Sequence, residues 1–311
     1  MILTVTLNAA LDRTLVVPNI SLGHQHRATD SLSLPGGKGV NVARALKRLH
    51  EPVIATGMAG GRIGTVITEE LTAEGILNDF VRCHAESRTS IAIVDPLSGT
   101  QMEVNEYGPG VDATEIETLF EKLHYLSKAA RLVVLAGSLP VGAPEDLYAV
   151  IIRELTRLDR PAVIDVAGEP LRAALAAGPL LVSPNAREAE EVIGYEFAEE
   201  SDQIGGATAL MEMGAKNALI HSLTGCVARF ADGRTFQARI DAPIDVVSTI
   251  GSGDAFLAGF LSAWTMGEPP EMALRTAVAC GMANATMLGA GMFDMGDIAA
   301  FANAVEVTQI A

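Results

Sequence analysis

Gly251, Ser252, Gly253 and Asp254 stand directly before "AFLAGFLSAWTM", whose apolar residues recur at helical spacing. The glycines therefore mark a helix N-terminus, where free N–H groups and the positive end of the helix dipole make an anion site. A carboxylate in that first turn, Asp254, can act as a simple helix stabiliser. It can equally take a proton from an attacking hydroxyl while the amides of Gly251–Gly253 hold a transferring phosphoryl group. Phosphoryl transfer needs that pairing of preorganised donors and a positioned base.

A second glycine-rich loop, "PGGKGVNVARAL" (Pro35–Leu46), leads into an amphipathic helical pattern. It is not a Walker loop, because Gly39 follows Lys38 and the glycine spacing differs. Glycines at 36, 37 and 39 permit close backbone approach to a ligand, and Lys38 brings charge. The alternative is a flexible turn with a solvated lysine.

Short β-rich runs must carry these loops. "ILTVTL" (Ile2–Leu7), "RLVVLAG" (Arg131–Gly137), "PAVIDVAG" (Pro161–Gly168), "LLVSPN" (Leu180–Asn185) and "NALIHSL" (Asn217–Leu223) read as strands. Several are almost continuously apolar, as parallel strands buried on both faces are. Helical patterns such as Asn41–His50, Glu145–Leu158 and Ala186–Gly194 separate strand runs. The alternation predicts an α/β fold with a mainly parallel sheet. Thr14–Leu34 and Ser90–Glu106 break the rhythm and read as a small β flap, the second with a hairpin around "DPLSG". Ligands of open α/β sheets sit at the carboxyl ends of the strands. The polar residues there are Asn8, Asp12, Ser138, Asp165, Asn185, Glu188 and Ser222.

The chain has 311 residues, 49% of them hydrophobic, enough for one large core. A net charge of −16 disfavours nucleic acid and anionic membranes as partners, and an anionic substrate would need local cations. No apolar run reaches the roughly 18 residues of a membrane span, and the N-terminus lacks the pattern of a signal peptide. Cys83, Cys226 and Cys280 form neither a disulfide framework nor a zinc pattern and suggest a reducing compartment, hence a cytoplasmic protein. "HQH" (His24–His26) reads as surface.

The two glycine loops together resemble the paired signatures of the PfkB/ribokinase family of carbohydrate kinases. The resemblance extends through "TLNAALDRTL" (Thr6–Leu15), "AGSLPVG" (Ala136–Gly142), "SPNAREAEEVIG" (Ser183–Gly194) and "GMANA" (Gly281–Ala285), so it spans nearly the whole chain. It is strongest toward the branch acting on sugar phosphates, the phosphofructokinases and tagatose-6-phosphate kinases. It implies a ribokinase-like three-layer α/β/α sandwich, residues 1–311 as one kinase domain, and lid segments at about 12–35 and 88–107. It further implies a homodimer formed through the lid, and ATP and Mg²⁺ as cofactors, with a monovalent cation as a further candidate. Asp254 would be the catalytic base, with Gly251, Ser252 and Gly253 as the anion hole. Asp12, Gly37, Lys38, Asn41 and Ser138 would meet the sugar, and Arg27 and Arg88 would converge on the phosphate it already carries. Asn185 and Glu188 match an N-x-x-E element that organises magnesium through water. Ser222, Thr224, Gly225, Thr249 and Asn284 would border the nucleotide.

Two places depart from the family pattern. Ser183 stands where a lysine is usual, and Thr224 and Val227 replace two glycines, so side chains would enter the nucleotide loop. The expected activity is phosphoryl transfer from ATP to a ketohexose phosphate, with fructose 1-phosphate first and tagatose 6-phosphate and fructose 6-phosphate next. A non-catalytic sugar-phosphate binder and a kinase for an unphosphorylated sugar or nucleoside are the alternatives.

Overall fold

The continuous apolar runs belong to strands covered on both faces. In the run from Leu132 to Ala136, residues Leu132, Val134 and Ala136 join one hydrophobic cluster, and Val133 and Leu135 join the other. Ile2 and Leu3 divide the same way. Side chains on a strand point alternately to its two faces, so an unbroken apolar run requires a layer above and a layer below.

The computed structural model describes residues 1–241 and 244–310. The chain opens with β1 (Ile2–Thr6), β2 (Ala10–Val16), β3 (Asp30–Gly36), α1 (Lys38–Arg48), β4 (Val53–Gly60), α2 (Gly61–Ala73) and β5 (Leu77–Cys83). Next come β6 (Arg88–Asp95), β7 (Thr100–Asn105), α3 (Ala113–Leu126), β8 (Leu132–Ala136), α4 (Leu147–Arg157), β9 (Ala162–Asp165) and α5 (Gly168–Leu175). Then follow β10 (Leu181–Val182), α6 (Ala186–Ile193), α7 (Glu200–Glu212), β11 (Ala218–Ser222), β12 (Gly225–Arg229) and β13 (Thr235–Ile240). The chain closes with α8 (Ser252–Thr265), α9 (Pro270–Ala285), α10 (Met295–Ala304) and β14 (Val305–Gln309).

The main sheet has ten strands in the order β14-β13-β12-β11-β10-β9-β8-β1-β4-β5. Strands from β11 to β5 in that order are parallel, and β12, β13 and β14 add antiparallel at one edge. Helices α1, α2, α8, α9 and α10 pack on one face and α3 to α7 on the other. This is the expected three-layer sandwich. β10 contributes only Leu181 and Val182, shorter than expected, because Pro184 cannot donate to a ladder. Residues Ala255–Ala263 of α8 are all buried, so this helix lies inside its layer instead of on its surface.

A separate four-stranded sheet, in the order β3-β2-β6-β7, forms the lid. It arises from the two segments read as a flap. The turn between β6 and β7 falls at 96–99, within the expected hairpin. The three cysteines are unpaired and buried, and burial pushes the Cys226 thiol up to about 12.

Candidate active site

A cavity of about 820 Å³ lies between the carboxyl ends of the parallel strands and the inner face of the lid. The two glycine loops form its floor. At the start of α1, a Cβ on Gly36 would fall 2.0 Å from Asp12 Oδ2, and one on Gly37 would meet Thr6 Cγ2 at 2.8 Å. The first loop is therefore glycine chiefly because the Asp12 carboxylate and β1 occupy that volume. At the start of α8, Gly251 is the N-cap with φ 79°, and a Cβ there would lie 2.4 Å from Ala290 Cβ. Both the left-handed backbone and the close neighbour exclude a side chain. Ser252 N donates to Thr249 O at 3.2 Å, whereas the amides of Gly251 and Gly253 have no acceptor among the described residues, as at a helix start that binds anions.

The two helices bring their polar residues together. Asn41, one turn into α1, donates from Nδ2 to Asp254 Oδ2 at 2.8 Å. Asp254 Oδ1 takes no hydrogen bond among the described residues and is left for a ligand. Burial, and then the neighbouring Asp165 carboxylate, push the Asp254 carboxyl up to about 7, with Lys38 and Asn41 opposing the rise. Such a group exchanges a proton near neutral pH, as a general base must.

Lys38 reaches away from the lid. Its Nζ lies 2.8 Å from Asp165 Oδ1 and 2.8 Å from Glu188 Oε1. Burial opposes its charge, but these carboxylates, with Asp254 beyond, hold its pKa above the ordinary lysine range. Asn185 caps α6 by accepting from Glu188 N at 2.9 Å, and Glu188 Oε2 accepts from Asn185 N at 3.0 Å. His221, at the end of β11, stacks on Phe256 with ring centroids 4.8 Å apart. Its Cε1 would lie 2.8 Å from a Cβ on Gly253, and burial lowers its pKa to about 4, so the ring is neutral.

The lid supplies the opposite wall. Asp12, Ser90 and Asn105 stand in register across β2, β6 and β7 and line the cavity. Arg88 donates to Asn8 O at 3.1 Å and to Ser90 Oγ at 2.9 Å. Those partners are neutral oxygens, and the Asp12 and Glu106 carboxylates act on the guanidinium without a direct ion pair. Burial holds Arg88 below its ordinary value and raises Asp12, each partly countered by the other's charge. Two clasps fix the lid to the main body. Asn8 Nδ2 donates to Tyr107 O at 2.8 Å and to Ser138 Oγ at 3.1 Å. Gln101 Nε2 donates to Thr249 Oγ1 at 2.8 Å, and its Oε1 accepts from Thr249 N at 3.3 Å.

Asp12, Gly37, Lys38, Asn41, Arg88, Ser138, Asn185, Glu188, Ser222, Thr249 and the Gly251–Asp254 segment all line this cavity. The other expected residues lie outside this cavity. Arg27 is exposed and does not line the cavity. Arg88 pairs with Ala10 at the root of the lid, whereas Arg27 lies beyond the Val16–Asp30 pair at the far end. Those ends are six residues apart along β2, about 20 Å. Asn284 does not border the cavity. It is fully buried, donates to Ile250 O at 2.8 Å and accepts from Gly291 N at 2.7 Å, so it fastens the loops behind the anion hole. Gly225 opens β12, where a Cβ would strike Ala238 O at 2.4 Å, and Thr224 is exposed at the hairpin turn. Val227 is buried in β12, so its side chain enters the core instead of the nucleotide loop. Ser183 is likewise buried, with an unpartnered Oγ.

Sequence reading missed His221 and Arg44. Arg44 carries a signal: it follows Asn41 by three positions on α1, among small apolar residues, and is 2% exposed.

A model of the pfkB family of carbohydrate kinases matches residues 5–294. A 1-phosphofructokinase from Borreliella burgdorferi is 34% identical over 286 residues, covering 92% of each chain. Phosphofructokinase-2 from Escherichia coli, solved with substrates and products, superposes with a TM-score of 0.90 at 26% identity, over 97% of this chain and 98% of that one. That protein has also been solved with potassium and in a tetrameric inhibited form. Arabidopsis thaliana ribokinase, 20% identical with a TM-score of 0.75 over 97% of this chain and 98% of that one, shares the fold. The chain belongs to the pfkB family of carbohydrate kinases.

Proposed function

We propose that this kinase phosphorylates a ketohexose phosphate, with fructose 1-phosphate as the acceptor and fructose 1,6-bisphosphate as the product. The observation that carries the reading is the meeting of three features in one cavity. These are the α8 anion hole, the buried Asp254 carboxylate held by Asn41, and across from them the Arg88 guanidinium, which among the described residues hydrogen-bonds to neutral oxygens only. The likeness to a 1-phosphofructokinase supports the choice of acceptor.

In this reading Asp254 takes the proton of the acceptor hydroxyl. The hydroxyl oxygen bonds to the terminal phosphorus of ATP, the bond from that phosphorus to the bridging oxygen breaks, and ADP leaves. The amides of Gly251–Gly253 hold the charge on the transferring group. Arg88 grips the phosphate already on the sugar, and Asp12 and Asn105 are in place to accept or donate to its hydroxyls. Arg88 also answers the charge problem. A guanidinium–phosphate contact in a partly desolvated site is worth a few kcal/mol, roughly, whereas the diffuse repulsion from net −16 is screened beyond about 8–10 Å.

Carbohydrate kinases of this family use ATP with a divalent metal. Asp165, Asn185 and Glu188 offer the hard oxygen donors that suit Mg²⁺. Both Glu188 oxygens already accept hydrogen bonds, from Lys38 and Asn185, which favours contact through metal-bound water. Mg²⁺ there would offset the phosphate charge of the nucleotide. A monovalent cation belongs to the same proposal, supported by the potassium complex of the E. coli relative.

The same reading makes residues 1–311 one kinase domain with its lid at about 12–35 and 88–107, dimeric through that lid and cytoplasmic. The outer lid face presents Ile91, Met102 and Val104, which are 36%, 40% and 54% exposed, beside Leu15 and Ile93. An apolar stripe of this kind is suited to a second copy of itself. No helix among the described residues is long and apolar enough to cross a membrane. The free, buried cysteines suit a reducing compartment.

The likeness to phosphofructokinase-2 supports fructose 6-phosphate as the second choice of acceptor. An ADP-release assay over fructose 1-phosphate, fructose 6-phosphate, tagatose 6-phosphate and fructose tests the proposal. The expected order has fructose 1-phosphate highest and fructose lowest in kcat/KM. Fructose turned over as well as any sugar phosphate would contradict it, and no ATP-dependent turnover at all would leave a binder.

A further inference from the structure

Arg44 is the most completely engaged side chain around the cavity. Nε and Nη2 donate to the two carboxylate oxygens of Glu74 at 2.6 and 2.9 Å. Nη2 also donates to Pro35 O at 2.7 Å, and Nη1 donates to Ala290 O at 3.1 Å and, more weakly, to Asn41 Oδ1 at 3.4 Å. A guanidinium has five N–H groups, and each one here has an acceptor. The ion pair with Glu74 accounts for two. The other three go to parts of the catalytic apparatus: the lid root at Pro35, the amide of Asn41, and the Ala290 backbone against which Gly251 packs.

The contact with Asn41 has a chemical consequence. A guanidinium can only donate, so Asn41 must turn its carbonyl oxygen toward Arg44. Its NH₂ group then faces Asp254, and the bond at 2.8 Å runs from Asn41 to the carboxylate. The flipped amide would set an oxygen against the carboxylate and repel it. Ala290 is similarly constrained. It stands where a Gly251 side chain would be, so holding its carbonyl holds the N-cap of the anion hole.

We propose that Arg44 is a positioning residue for phosphoryl transfer, which fixes the Asn41 amide toward Asp254 and seats Ala290 against Gly251. The inference rests on the kinase reading above, with Asp254 as base.

The test separates the ion pair from the positioning bonds. Glu74→Gln removes the charge partner and leaves the bonds to Pro35, Asn41 and Ala290. Its kcat is expected within about threefold of wild type, whatever it does to the urea midpoint. The double variant Arg44→Met with Glu74→Met removes both partners without stranding a buried charge. Folded double variant should lose kcat by about 30- to 100-fold, while KM for ATP and for sugar phosphate stays within about threefold. A purely structural role would lower the urea midpoint and leave kcat per folded molecule unchanged. A kcat for the folded double variant within threefold of Glu74→Gln overturns the proposal. Should the double variant not fold, Arg44→Lys takes its place. Lysine offers three donors from one atom and cannot span these acceptors. A kcat loss of at least about tenfold is expected, and one under threefold overturns the proposal. Asp254→Asn, run in the same assay, distinguishes the two layers. If it retains kcat, the base reading and this proposal fall together. If it collapses while the Arg44 variants do not, the Arg44 proposal alone falls.

Discussion

The two walls of the cavity are built in opposite ways. On the α1–α8 side, Asn41, Arg44, Ser252 and Asp254 are all less than 8% exposed, and Asn41 and Arg44 hydrogen-bond to other protein groups. On the lid side every residue of β7 is exposed, and the sheet is anchored at its root and by the Gln101 clasp. In the proposed reaction the buried wall would stabilise charge that develops in the transition state, which requires groups fixed before the substrate arrives. The lid would recognise an acceptor that must enter and leave, and an exposed sheet opens at lower cost than a buried one. Damage to the first wall should therefore appear in kcat, and damage to the second in the KM for the sugar phosphate.

The largest effect belongs to the buried wall. Asp254→Asn preserves shape and removes the proton acceptor, so kcat should fall by about 10²- to 10⁴-fold, with sugar-phosphate affinity close to wild type by calorimetry. A variant within threefold of wild-type kcat would break the division. The next effect belongs to the lid. Arg88→Ala removes charge-assisted hydrogen bonds worth roughly 1.5–3 kcal/mol, or about 10- to 150-fold in kcat/KM for the sugar phosphate. The KM for ATP should change far less, and an equal loss against fructose would show that Arg88 does not read a phosphate. The smallest effect should come from Gln101→Ala, which cuts two neutral hydrogen bonds between β7 and Thr249. About three- to tenfold in kcat/KM is expected, and a change confined to the KM for ATP would assign Gln101 to the nucleotide instead of the lid.

Sequence alone made the buried wall legible because its code is local. Glycine, serine, glycine and aspartate ahead of an apolar helical run specify a helix N-terminus with a carboxylate, and α8 begins at Ser252. The lid was visible as alternation at the right places, yet its geometry was not. Whether Arg27 and Arg88 of one chain meet depends on the register of β2 with β3 and β6, which no local pattern sets, and that register keeps them apart within the chain. The surroundings of Asn284 and Val227 were hidden for a related reason. Both sit in motifs that border a ligand loop, but burial against Ile250 and against the β-sheet core decides their roles. The β4–α2–β5 unit went unread because the glycines in "GMAGGRIGT" disguise the junction of a strand and a helix. Arg44 escaped because its five acceptor atoms come from three separate stretches of the chain, at Pro35–Asn41, Glu74 and Ala290.

In the proposed reaction the buried Asp254 carboxylate accepts the proton of the acceptor hydroxyl. It is tested by the pH dependence of kcat/KM for the sugar phosphate, which reports the base of the enzyme before the sugar phosphate binds. Burial and Asp165 raise this carboxyl to about 7, so the protonated, inactive form predominates below that value. This kcat/KM should fall as pH drops through about 7 and level off above it, while the residual kcat/KM of Asp254→Asn stays flat across the same window. That control separates the enzyme's titration from that of the nucleotide. A wild-type profile that parallels the Asp254→Asn profile between pH 5.5 and 8.5, as roughly the span around a carboxyl shifted this far, would contradict the account.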